Sequence, residues 1–185
     1  LGVTGATTLS NSLDVSGATT LTGATTLNGG LTLNSSSVSL GTNSTSSGSN
    51  STALGYNSTA SGNNSIAIGA STANNSGSIA IGNSASSTGG DSVSLGGQAS
   101  ASGTDSVALG GNATATAQNS YAIGKSASAD HSDSIAIGSS AETTGANQIV
   151  LGTSSETTII KGDLTTNGTS TLSTVDINGG AVDGT

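Results

Sequence analysis

One five-residue phrase recurs nine times along this chain, and its spacing leaves few folds open. It reads Ser37-Val38-Ser39-Leu40-Gly41, then Ser51-Thr52-Ala53-Leu54-Gly55, then Ser65-Ile66-Ala67-Ile68-Gly69. It returns at 78–82, 92–96, 106–110, 120–124 and 134–138, and ends in a decayed copy, Gln148-Ile149-Val150-Leu151-Gly152. The step is 14 residues throughout, except for 13 between Ser65 and Ser78. A fixed period of this length marks a solenoid, in which each repeat can bury a face only against the next. It points to mechanical display rather than catalysis.

The unit 106–119 shows how one coil is built. In extended chain, alternate side chains point to opposite faces. Val107 and Leu109 therefore share one face and Ala108 takes the other. Gly110 lets the chain turn at little steric cost. A second short run follows, Ala113-Thr114-Ala115-Thr116. The residue before each phrase is Asn50, Asn64, Gly77, Asp91, Asp105, Asn119, Asp133 or Asn147. These types tolerate left-handed backbone and make local turn hydrogen bonds. Each unit thus reads strand, turn, strand, turn.

The expected fold is all-β: a parallel β-roll, or β-solenoid, of flattened two-walled coils. Successive coils pair as parallel strands about 4.8 Å apart, so nine of them stack to roughly 40 Å. Two aliphatic residues per coil are expected to fill the interior. Tyr121 takes one of those inward places, where it either fills a wider point of the core or faces a partner. The alternating small residues, such as Ala53, Ala67, Ser94 and Ala108, are expected to form a second face where sister chains approach closely.

Composition then decides whether one chain suffices. The chain has no Phe, Trp, Met, Cys or Pro, and its aromatic residues are Tyr56 and Tyr121. Only 6% of residues are charged, against about 25% in an ordinary domain. A core of small residues leaves a lone two-walled roll underfilled. The chain is therefore expected to be a homo-oligomer with cyclic symmetry about the rod axis. Disorder is the rival for a chain rich in Gly, Ser, Thr and Asn. The strict period of the aliphatic residues argues against it.

The net charge is −8, with Lys125 and Lys161 as the fixed cations. That argues against nucleic acid, which needs a basic face, and against electrostatic docking to anionic membranes. No apolar run reaches the ~20 residues of a membrane span, so no direct membrane insertion is expected. Nothing at Leu1 resembles a signal peptide. The chain opens within a repeat and is expected to be part of a longer protein. The absence of cysteine fits an extracellular β-fibre.

Three textures divide the chain. Residues 1–34 carry Gly5-Ala6-Thr7-Thr8-Leu9, Gly17-Ala18-Thr19-Thr20-Leu21 and Gly23-Ala24-Thr25-Thr26-Leu27, read as a shaft segment. Residues 35–152 form the roll of nine coils. Residues 153–185 are a β-rich connector or shaft, with Thr157-Thr158-Ile159-Ile160 as a strand and Gly162-Asp163 as a turn. From Leu164 onward, Leu172, Val175 and Ile177 supply its apolar points. The whole reads as one continuous rod.

The phrases Asn64-Ser65-Ile66-Ala67-Ile68-Gly69, Asn119-Ser120-Tyr121-Ala122-Ile123-Gly124 and Asp133-Ser134-Ile135-Ala136-Ile137-Gly138 resemble the head repeat of YadA-like trimeric autotransporter adhesins. Ser58-Thr59-Ala60-Ser61-Gly62 and Ala99-Ser100-Ala101-Ser102-Gly103 resemble its second half-repeat. The resemblance covers roughly 35–152. It implies a left-handed parallel roll in a side-by-side homotrimer. It also implies an extracellular place, and a host-cell surface or matrix receptor, protein or glycan, as partner. The 1–34 repeat and the stretch from Asn147 through Gly162 are more similar to shafts of phage-type tail fibres, which are also trimeric. A virion fibre is the alternative owner.

Few residues invite chemistry. Asp91, Asp105 and Asp133 occupy equivalent points of their coils, and a column of carboxylates is the oxygen-rich setting calcium prefers. Asn fills the same point elsewhere, so turn formation explains the position better. No metal, cofactor or catalytic residue is expected. His131 lies between Asp130 and Asp133 but at a corner that is Gly62, Gly103 or Gly145 in other coils, and is read as an exposed corner residue. Asn-x-Ser/Thr triplets such as Asn57-Ser58-Thr59 arise by chance in such a composition. Tyr56 and Tyr121 are the candidate receptor contacts.

The function expected is a structural, adhesive fibre that gains strength from many weak contacts. An ice-binding solenoid is one alternative, with Thr45, Thr59, Thr114 and Thr116. Ser86, Ser100, Ser128 and Glu142 interrupt that array. A non-catalytic spacer of a polysaccharide-acting fibre is another. An enzyme of that kind needs paired carboxylates in a groove, which two tyrosines and scattered acids do not supply.

Overall fold

A computed structural model describes residues 36–169. The Gly-Ala-Thr-Thr-Leu repeats of 1–34, and Leu172, Val175 and Ile177, lie outside the described residues.

The chain winds back and forth between two parallel sheets. The long sheet has nine strands in chain order, from Val38–Leu40 to Ile149–Leu151. The short sheet has seven, from Thr45–Ser46 to Ser128–Ala129. Every strand pairs with its equivalent one coil away: Val107, Ala108 and Leu109 face Tyr121, Ala122 and Ile123, and Ser100 and Ala101 face Thr114 and Ala115. No helix interrupts the described residues. The fold is the parallel roll with 14-residue coils that the period predicts.

The number of complete coils differs from the nine expected. Seven coils have both strands, and the eighth keeps its long-sheet strand, Ile135–Ile137, with only an isolated bridge between Ser128 and Glu142 on the short side. The inward place of that coil holds Thr143, fully buried, where earlier coils have Ala or Ser. A β-branched side chain is wider than the slot its predecessors fill. The ninth coil has only its long-sheet strand. Beyond it the expected strand at 157–160 does not form, and Ile159 is 75% exposed.

The larger correction concerns which face is inside. Ala108, Ala113 and Ala115 are fully buried, and so are Ala53, Ala67 and Ala122. The aliphatic residues point outward: Leu109 is 39% exposed and Leu54 43%. Geometry gives the reason. Two corners consume most of a 14-residue coil and leave strands of three and two residues. Walls joined by such tight corners leave room between them for small side chains only. Packing at interior density then selects Ala and Ser by volume. Where Ser replaces Ala, it is hydrogen-bonded, as buried polar groups must be. Ser94 Oγ donates to the Ser86 carbonyl at 2.6 Å and accepts from the Ala101 amide at 2.9 Å.

The phrase glycine is required by space and backbone together. Gly110 has φ +135°, and a Cβ there would lie 2.5 Å from the Gly124 carbonyl oxygen. The single 13-residue step is absorbed at the corner after Gly69. Other coils place a left-handed residue there, such as Asn57 or Asn112. The short coil omits it, and Ser71 N donates directly to the Gly69 carbonyl at 2.8 Å. The ladder continues unbroken, with Ile66 opposite Ile79.

Candidate interaction faces

The corners hold the two walls apart at a fixed width. At one of them the serine that opens the phrase, from Ser51 to Ser134, turns inward and closes a hydrogen bond to the carbonyl three residues back. Ser65 Oγ donates to Gly62 O at 2.6 Å, Ser92 Oγ to Gly89 O at 2.8 Å and Ser106 Oγ to Gly103 O at 2.7 Å. All three serines are fully buried. Sequence reasoning noticed the residue before the serine but not the serine's own work. The preceding column is left-handed as expected, with φ 56° at Asn64 and Asp105 and 54° at Asn119. A second left-handed column at the opposite corner was not foreseen. It includes Gln98 and Ser126, which have no preference for that backbone, so the stacked ladder imposes it.

In the decayed copy, Gln148 replaces the serine. Its Oε1 accepts from the Thr144 and Gly145 amides at 2.9 and 3.0 Å. A longer side chain thus serves the same corner from the same position.

These corners leave two outer faces of opposite character. The long sheet presents two aliphatic side chains per rung, half-buried or exposed, as at Val107 and Leu109. A contiguous apolar stripe of this length marks an interaction surface. The short sheet presents hydroxyls instead. Thr59, Ser86, Ser100 and Thr114 are half-buried, and Ser61, Thr88, Ser102 and Thr116 beside them are exposed. Thr114 Oγ1 donates to Ser128 Oγ on the next rung at 3.2 Å.

Tyr56 lies at the corner after Gly55 and is 62% exposed. Tyr121 is not inward. It is half-buried on the outer face of the long sheet, between Val107 and Ile135 of the adjacent rungs. Asp91 and Asp105 sit on consecutive rungs, whereas Asn119 separates Asp105 from Asp133. Asn119 Nδ2 donates to Asp133 Oδ1 at 2.8 Å, so that carboxylate is engaged by its neighbour. Among the described residues no three His, Cys, Asp or Glu side chains gather as a metal site, and no pocket opens.

His131 departs from its expected exposure. The imidazole is half-buried, and Nδ1 is buried without a hydrogen-bond partner. It stands in a column that is mostly glycine, with Asn75 and Ala117 as the other exceptions; a Cβ on Gly103 would lie 1.9 Å from the Ala117 carbonyl oxygen. Asp130 does not pair with it. The Asp130 carboxylate accepts from Thr116 Oγ1 at 2.8 Å and Ser128 Oγ at 2.6 Å. Past the roll, hydrogen bonds from the Thr153 hydroxyl and amide hold the exposed Glu156 carboxyl below its ordinary range.

The model of the YadA head domain repeat matches residues 34–58, 46–72, 60–85, 87–113 and 115–141. The chain is similar to the crystal structure of the collagen-binding domain of the Yersinia adhesin YadA. The two are 29% identical with a TM-score of 0.53, over 79% of this chain and 94% of that one. Among curated proteins, no sequence matches.

Proposed function

The chain belongs to the YadA head-repeat family, and from that premise we propose that it is a non-enzymatic, adhesive segment of an extracellular surface fibre. It associates with copies of itself through the long-sheet face as a homotrimer, and offers the short-sheet face and corners to a matrix receptor. The observation that carries this reading is the contrast between the two outer faces. An aliphatic stripe running the length of the roll favours burial, while a hydroxyl face stays comfortably in water.

The stripe's period argues for self-association. Its rungs repeat about every 4.8 Å along the axis. A second copy of the same roll has that spacing by construction, so each rung meets a rung. A partner of any other fold would match a few levels and lose step.

The receptor is proposed to be of the collagen class, since the similar Yersinia domain is described as collagen-binding. Tyr56 is the side chain proposed to anchor it, being aromatic, rigid and exposed. Two measurements test the proposal on the whole chain. Sedimentation should give a trimer of 17.2 kDa subunits. Immobilised collagen should retain the protein, and Tyr56→Ala should weaken retention about tenfold, a loss of ~1.4 kcal/mol. A monodisperse monomer would overturn the assembly. A trimer that ignores collagen would overturn the receptor class alone.

A further inference from the structure

The aliphatic stripe that suits self-association has a weakness: it is nearly the same at every level. Each rung of the long sheet turns two side chains outward, and these are Val, Ile or Leu everywhere except at Thr52 and Tyr121. Consider parallel copies packed through this face. A slip by one rung, about 4.8 Å, replaces aliphatic with aliphatic at most levels and forfeits only one terminal rung. Hydrophobic burial is non-directional and does not by itself choose between the two alignments. Faces of uniform character are the ones prone to register slippage.

Two residues break the uniformity, and they differ in weight. Thr52 is close to Val in size, so a slip that sets it against Val38 or Ile66 changes little. Tyr121 is the sole aromatic side chain on the stripe and much larger than its equivalents Val107 and Ile135 on the flanking rungs. Its half-buried ring stands among aliphatic neighbours, on the face that meets the partner.

We propose that Tyr121 sets the axial register of the assembly. Copies in register bring their tyrosines to one common level. There the rings fill a single enlarged layer, and the hydroxyls find one another instead of hydrocarbon. A one-rung slip forces each ring against the Val107 or Ile135 position of a neighbour. That crowds two levels, leaves another loose, and buries phenol hydroxyls without partners. The inference rests on the self-association reading and adds a residue that gives it one alignment. It moves Tyr121 from receptor contact to assembly contact.

The chain has no cysteine, which makes the alignment directly measurable. Two single-cysteine forms of the full chain, Leu95→Cys and Leu109→Cys, are mixed, unfolded, refolded together and oxidised. Copies in register cross-link like positions, 95 to 95 and 109 to 109. Copies slipped by one rung cross-link 95 to 109, which mass spectrometry of the digested product distinguishes. With Tyr121 present, like-to-like products should dominate. With Tyr121→Ile in both chains, the trimer should persist and the 95-to-109 product should rise about tenfold, the factor that ~1.4 kcal/mol of lost preference sets.

A relocation makes the test independent of any loss of folding. Chains carrying Val107→Tyr with Tyr121→Ile should again align like to like among themselves. Mixed with chains that keep Tyr121, they should prefer the slipped product. Like-to-like products that stay dominant in Tyr121→Ile trimers would overturn the register proposal and leave self-association intact. Absence of any inter-chain product, with a monomer in sedimentation, would overturn both.

Discussion

The long and short sheets line the same interior with the same small residues, and their chemistry diverges on their outer sides. Ala108 and Ala115 face each other's wall and are fully buried. On the outer side of the same strands stand Val107 and Leu109 in one sheet, and Thr114 in the other. In a globular domain, large apolar residues mark the inside. Here volume decides the inside. On the proposed function, the outward aliphatic residues of the long sheet serve the assembly, and the single chain is held by alanine packing, backbone ladders and buried serines.

The hardest test of that comparison charges each outer face in turn. Leu95→Asp with Leu109→Asp places two carboxylates on the aliphatic stripe. Burying such charges against a partner costs ~4 kcal/mol or more, about a thousandfold in the association constant. Sedimentation should show dissociation to monomers. The matched pair on the other face, Ser100→Asp with Thr114→Asp, should leave the mass unchanged. Dissociation by both pairs would mean that the short sheet also packs against a copy.

The inside and the outside of one strand separate next. Ala108→Leu adds three carbons to a slot with no space, and overpacking of this kind costs ~3 kcal/mol. Val107→Leu, one residue away on the outer side, should cost less than ~1.5 kcal/mol. Chemical denaturation of the two variants would compare them directly. A larger loss at Val107 than at Ala108 would restore the opposite assignment of faces.

That assignment is where the sequence was least legible. The period, the two strands per coil and the left-handed column at Asn64 and Asp105 all follow from local chemistry, because turn residues announce themselves. Alternation is different: it divides a strand into two faces without saying which is buried. The missing cue lay across the corners. Followed through the turn, the inward parity runs Ser106, Ala108, Ala113, Ala115, small at every step, and only small residues share a narrow slot. The same reasoning applies to Ser106 itself. A serine beside a turn looks like one more turn residue until its carbonyl partner at Gly103 is seen. The roll's fading at Thr143 was hidden for another reason. One hydroxyl and one methyl beyond Ala do not look decisive until the slot's width is known. His131 was visible as a misfit in a glycine column, but its half-buried ring and orphaned Nδ1 depend on how the neighbouring corner packs.

The buried serines belong to both walls at once, and their loss should rank third. Ser106→Ala keeps the volume close and strands the Gly103 carbonyl inside the roll. An unsatisfied buried acceptor costs ~1–2 kcal/mol. Thermal melting of the variant should fall accordingly, with oligomeric mass unchanged. Wild-type melting would assign the corner to backbone geometry alone.

The smallest effect is the one that most sharpens the contrast between faces. Thr114→Val removes the hydroxyl that donates to Ser128 at 3.2 Å and keeps a β-branched side chain of similar shape. That bond is long and half-exposed, so its net contribution is small. Valine also favours strand backbone. The two terms should cancel to within ~0.5 kcal/mol, the usual span for surface changes. A melting temperature unmoved by Thr114→Val would mean that the hydroxyl row does not hold the roll together, and leaves solvation and partner contact as its work. A loss beyond ~1 kcal/mol would make that row a structural ladder, and the two outer faces would then differ in chemistry without differing in role.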